Sequence, residues 1–153
     1  QTGVDRAALD VAIARGIAWR GWCPKGGWAE DFPGPPGLLA RYPNLRETPL
    51  ADPAQRTAWN VRDSDAILFV VDGAGLAVST GTSGAKEWSG RYGKPLFVVD
   101  VSQPDAAAQV EGWLREQVER FGEHMKLGVG GPRESEAPGI YASTRRLLVS
   151  VLA

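Results

Sequence analysis

Two short runs, Ala66 to Asp72 and Leu96 to Val101, carry almost unbroken aliphatic, β-branched and aromatic side chains. A strand that is apolar on both faces must be covered on both, which is the condition of a central strand in a parallel sheet. Ile17 to Trp22 and Lys126 to Val129 read as further strands, and helical spacing fills the intervals. Val4 to Arg15 keeps Leu9, Ala12 and Ile13 on one face ahead of Gly16. Asp52-Pro53-Ala54-Gln55 has a capping Asp, Pro at the first helical position and Gln where a capping box places it, leading into Ala54, Ala58 and Val61. Pro104 to Phe121 carries a stripe of Val110, Trp113, Leu114, Val118 and Phe121, and Gly139 to Leu152 repeats the spacing with Ile140, Thr144, Leu147, Leu148 and Val151. Parallel neighbours need crossovers, so this alternation predicts a three-layer α/β/α domain around a mostly parallel sheet. A strand is also expected ahead of Gln1, because the first helix starts almost at once.

The 153 residues suffice for one domain with a sizeable core. Lys+Arg 17 against Asp+Glu 18 leaves no broad basic field, so nucleic acid is not expected as a partner. One Cys and one His provide neither an internal disulfide nor a Cys/His metal cage, so no metal ligands are assigned and a reducing, cytoplasmic setting is expected. No apolar run approaches the roughly 18 residues of a membrane helix. The irregular stretch from Cys23 to Leu50 is long enough to be functional.

In such folds ligands bind beyond the carboxyl ends of the strands, so the loops entering helices carry the candidate chemistry. Thr2-Gly3-Val4-Asp5 has the form of a capping box at a helix N-terminus, with Arg6 beside it; it reads equally as a plain cap or as an anion site preceded by Gln1. Ser79-Thr80-Gly81-Thr82-Ser83 leads into another helix with hydroxyls and glycine suited to an oxyanion, or to an ordinary polar turn. It lacks the Walker spacing, and no G-x-G-x-x-G follows a strand. Gly130-Gly131-Pro132-Arg133-Glu134-Ser135 is a third turn, where glycines admit a ligand near the backbone and Arg133 offers a planar fork. Lys25 lies at the same edge, with Arg46, Arg56 and Asn60 able to reach in. Trp22, Trp28, Trp59 and Trp88 flank these loops and suit stacking on a planar ring or core packing. Glu87 and His124 read as surface residues, and Cys23 has no paired base.

The ordered set QTGVDRAALD, GWCPKG, AED, RYP–LRET, AQRTAWNVRDSDAILF, Gly81-Thr82, KPLFVVD and GPRESEAPGIY resembles the molybdenum cofactor carrier family over nearly the whole chain. The resemblance implies a Rossmann-like fold in a cytoplasmic homo-oligomer. It also implies that the ligand is the molybdenum cofactor (molybdopterin), or a molybdate or phosphate-type oxyanion, without necessary catalysis. The family's pattern falls on Gln1, Thr2, Gly3, Asp5 and Arg6, on Gly81 and Thr82, and on Gly131 to Ser135. Molybdoenzymes or cofactor-biosynthesis proteins are the implied partners, and no catalytic residue is assigned. Two other readings stand beside it: a nucleoside-monophosphate phosphoribohydrolase, in which Glu87 would assist attack at the ribose, and a nucleotide-sensing module. The related phosphoribohydrolases carry P-G-G-x-G-T-x-x-E, whereas Glu87 here follows Thr82 by five positions and no Pro-Gly-Gly precedes it.

Overall fold

A computed structural model describes residues 2–73 and 80–152. Strand β3, Ala66–Val71, is buried at all six positions. It pairs in parallel with β4, Leu96–Asp100, on one side and with β5, Leu127–Gly130, on the other. Ile67 and Phe69 join Val61 of helix α2, Pro53–Arg62, and Ala85 of α3, Thr80–Arg91. Leu68 and Val70 meet the opposite layer, built from α1, Val4–Ala14, α4, Ala106–Phe121, and α5, Ile140–Val151. The two-faced apolar pattern of β3 is thus answered by helices on both sides, and the fold is a Rossmann-like three-layer α/β/α arrangement.

The helices form where their sequence signals place them, but the buried faces differ in part. Helix α1 buries Val4, Ala7 and Val11 rather than Leu9, Ala12 and Ile13, with Ile13 49 % exposed, and Ala54 of α2 faces solvent while Ala58 and Val61 are buried. Asp52 caps α2 by accepting from the Ala54 N–H at 2.9 Å, with Pro53 at the first position. Gln55 accepts from the Leu50 N–H at 2.8 Å, so it anchors the incoming loop rather than closing a capping box. The first-strand region differs more. Strand character is confined to β1, Trp22–Cys23, which pairs in parallel with β2, Arg46–Glu47, as a separate two-stranded sheet. Residues 17–21 run beside a groove instead of a partner strand. The Asn60 side chain takes both backbone groups of Trp22, accepting from its N–H at 2.8 Å and donating to its C=O at 3.2 Å. None of the described helices is long and apolar enough to cross a membrane.

The long loop is tied down by a carboxylate clamp. Asp10 on α1 accepts from the Tyr42 hydroxyl at 2.6 Å and from the Tyr141 hydroxyl of α5 at 2.5 Å. Burial, followed by the bond to Asp10, pushes both phenols above their ordinary pKa. A raised folded-state pKa means the clamp's contribution is complete below the unfolded phenol value of about 10 and is lost as pH rises beyond it. Urea unfolding should therefore give a stability that declines above about pH 10, with a shallower decline in Tyr42→Phe. The same variant should lose about 1–3 kcal/mol at pH 7, since Asp10 keeps only one partner.

Candidate functional site

The amino end of α1 and the loop after β5 meet backbone against backbone. A Cβ on Gly3 would lie 2.1 Å from the Pro132 carbonyl oxygen, and one on Gly131 would lie 2.4 Å from that of Val70. The Val4 N–H donates to the Pro132 C=O at 3.3 Å. Only glycine permits this approach, so both residues set the floor of the site before any ligand chemistry enters.

Above that floor lies a cavity of about 440 Å³, bordered by Asp5, Trp28, Arg56, Trp88, Gly130 to Gly131 and Arg133. It stands at the carboxyl end of β5, between α2 and α3, where an open parallel sheet places ligands. Trp28 is 41 % exposed, a large apolar ring offered to solvent at the rim. Trp88 stacks on Tyr92 at 5.8 Å. Trp22 and Trp59 instead pack edge to face against each other at 4.7 Å. Asn60 and Arg56, anticipated as reaching in, both border the cavity, whereas Arg46 does not.

The cationic residues are matched by carboxylates. Arg6 is 5 % exposed and forms a two-pronged pair with Asp31 at 2.8 Å on each prong, its guanidinium over the Phe32 and Tyr42 rings. The bond to Arg6 holds the Asp31 carboxyl below its ordinary range, and the same bond raises the guanidinium's own affinity for its proton. Arg6 therefore fastens the long loop to α1 rather than facing the cavity. Arg56 pairs with Asp5 at 3.0 Å. Arg133 Nε lies 3.1 Å from Glu136 and 3.3 Å from Glu30, and its backbone N–H also donates to Glu136.

Thr2 does not cap α1; Gly3 is the N-cap residue, with no side-chain cap. The Thr2 hydroxyl donates to Glu30 at 3.2 Å and accepts from the Glu134 N–H at 3.1 Å. Glu30 also accepts from the Ser135 hydroxyl. Glu134 accepts from the Gly139 and Tyr141 N–H groups, supplying the anion that the start of α5 attracts. Glu30, Asp31 and Glu136 entered the sequence reading only through the motifs AED and GPRESEAPGIY, with no role at the site assigned to them. Their negative charge runs against the sign expected near an anion site.

The remaining expected residues divide. Gly130, Gly131 and Arg133 are brought together; Lys25 is exposed and borders neither this cavity nor the larger groove. Thr80, Gly81, Thr82 and Ser83 form the first turn of α3, not a turn preceding it, because the helix begins at Thr80. Gln1 and Ser79 lie outside the described residues. Glu87 is 62 % exposed at its side chain and bonded to Arg91 at 2.7 Å, away from the cavity wall. Cys23 is buried, and burial pushes its thiol up, opposite to an activated nucleophile.

The model of the circularly permutated YpsA SLOG family matches residues 1–152. The chain belongs to this family. The SLOG chain is also similar to a solved structure, the "putative molybdenum carrier protein" of Syntrophus aciditrophicus SB, at 35% identity and a TM-score of 0.83. That match covers 100% of this chain and 90% of the Syntrophus one. No curated protein matches.

Gly3→Ala in this SLOG protein should lose about 2 kcal/mol or more, read from the urea midpoint, because the obstructing atom is a backbone carbonyl that cannot rotate away. Asp31→Asn should speed amide exchange through the Cys23 to Leu50 stretch, since a neutral amide cannot form the charge-assisted pair with Arg6.

Proposed function

We propose that the chain is a carrier that binds the molybdenum cofactor, or a molybdate- or phosphate-type oxyanion, in the cavity between α2 and α3. The observation that carries this reading is the pairing, around one 440 Å³ space, of indole walls with an arginine fork at a glycine floor. The volume falls within the roughly 300–1,000 Å³ of small-molecule sites. Trp28 offers a face for a planar heterocycle, with Trp88, its ring already covered by Tyr92 and Arg91, as a neighbouring wall, and the terminal nitrogens of Arg133 suit a phosphate or oxometal oxygen. Gly130 and Gly131 admit the anion close to backbone N–H groups. The acidic lining, Asp5 and Glu136, suits the ring N–H and amino donors of a pterin. Thr2 and Arg6 hold the walls in register through Glu30 and Asp31. The amino end of α3, from Thr80 to Ser83, is the second anion-attracting element.

The Syntrophus neighbour's name supports a molybdenum-related cargo. We further propose that the protein works as a cytoplasmic homo-oligomer and hands its ligand to molybdoenzymes or cofactor-biosynthesis proteins. A carrier accounts for the placement of Glu87 better than a phosphoribohydrolase does: a carboxylate assisting attack at a ribose must reach the sugar, and Glu87 is held outside the cavity by Arg91.

Isolated molybdenum cofactor should co-elute saturably with the purified protein, read by pterin fluorescence after oxidation, and AMP should not displace it. Arg133→Ala should weaken that binding at least several-fold. Displacement by low AMP would replace the carrier reading with a nucleotide one.

A further inference from the structure

Three arginines share the outer face of α1 and α5 with no carboxylate paired to them. Arg15 closes α1, Arg41 precedes the clamped Tyr42, and Arg145 lies on α5. All three are exposed, and none forms an ion pair among the described residues. Their contacts bring them together. Arg15 donates to the Val149 C=O at 3.0 Å, tying the end of α1 to the last turn of α5. The Arg41 guanidinium stands 5.4 Å from the centre of the Tyr42 ring, and Tyr42 shares Asp10 with Tyr141. Burial, then the bond to Asp10, raises the Tyr141 phenol; the charges of Arg145 and Arg41 oppose that rise, so both lie near this hydroxyl. Arg145 and Val149 follow Tyr141 at successive intervals of four, which aligns them along one side of α5. Ile13 follows Asp10 by three on α1. The outcome is a crease with Asp10 and Tyr141 at one end and Arg15 at the other. Ile13 and Val149, 49 % and 38 % exposed, offer aliphatic surface along it.

The charge of this face is segregated. Helix α5 holds Arg145 and Arg146 and no Asp or Glu, whereas α4 interleaves Arg115 and Arg120 with Glu111, Glu116 and Glu119. Asp10, the carboxylate in the crease, is already engaged by two phenols. A basic face on a chain of net charge -1 complements an acidic partner there rather than over the whole surface. A nucleic acid fits less well. Its phosphates would lie over Asp10, and no ring is free to stack, since Tyr42 is 1 % exposed and the Tyr141 hydroxyl is bonded. Two aliphatic side chains are also too few to anchor in a bilayer.

We propose that the crease between α1 and α5 is a docking site for an acidic segment of another protein. Its carboxylates pair with Arg15, Arg41 and Arg145, and aliphatic side chains between them cover Ile13 and Val149. Tyr141 to Val149 spans about 12 Å of helix, the reach of about four extended residues, so the segment is short. None of these residues borders the cavity beside Arg133, and the inference does not rest on the ligand reading.

The test titrates fluorescein-labelled Glu-Asp-Leu-Leu-Asp-Glu with the full chain and reads anisotropy. The peptide should bind saturably at low salt and more weakly as salt is raised. Arg41→Glu with Arg145→Glu should weaken binding about fivefold or more, and Ile13→Ser about twofold or more. Arg115→Glu with Arg120→Glu, the same change of net charge placed on α4, should leave it unchanged. Absence of binding, or equal losses in the two double variants, would overturn the proposal. Equal or tighter binding of a thymidine oligonucleotide of the same charge would replace it with a nucleic-acid site, and preferential binding to phosphatidylserine vesicles with a membrane-facing one.

Discussion

Everything in this molecule is arranged around the need to cover β3 twice. Six consecutive buried residues, bonded to a parallel neighbour on each side, leave no polar edge or face exposed, so helices must lie both above and below. That requirement places α2 and α3 on one side and α1, α4 and α5 on the other. It also brings the loop after β5 against the start of α1, where the glycines of both segments let two backbones touch. The cavity bordered by Arg133 is the space left beside that contact.

The site is consequently a product of backbone packing first and side-chain chemistry second. Gly3 and Gly131 fix the separation of α1 from the β5 loop. Glu30, Asp31 and Glu134 then bind hydroxyls, a guanidinium and backbone N–H groups, fastening the long loop and the start of α5 to the same point. Asp31 in particular puts its charge into architecture, which is why Arg6 of α1 can be buried at all.

Much of the layer architecture was legible in the chain. The two-faced runs gave β3 and β4, although only β3 is central and fully buried while β4 lies at the edge of its three-stranded sheet with Val99 alone buried. Asp52-Pro53 gave the start of α2, and the stripe from Val110 to Phe121 gave α4, because each rests on local periodicity or capping. The separation into two sheets was not legible, since the fate of residues 17–21 depends on what lies across the groove from them. Nor was the role of Thr2: a Thr-x-x-Asp spacing looks like a capping box, but Glu30, twenty-eight residues away, competes successfully for the hydroxyl. That Arg133 and its glycines border one cavity was legible because a Gly-Gly-Pro-Arg turn after a strand lies at the carboxyl end of the sheet. The structural role of the AED carboxylates was not legible, because it depends on Arg6 and Thr2, which are distant in sequence.

The matching of Arg6, Arg56 and Arg133 with nearby carboxylates bears on how fast a ligand is captured. Paired opposite charges a few ångströms apart cancel at distance, and the chain as a whole carries a net charge of -1. An anionic ligand of the proposed kind would meet no long-range attraction, so its encounter rate would be set by diffusion and vary little with ionic strength. On the proposed reading, discrimination is left to the last few ångströms, where the fit of a planar ring beside Trp28 and of an oxyanion beside Arg133 would govern dissociation instead.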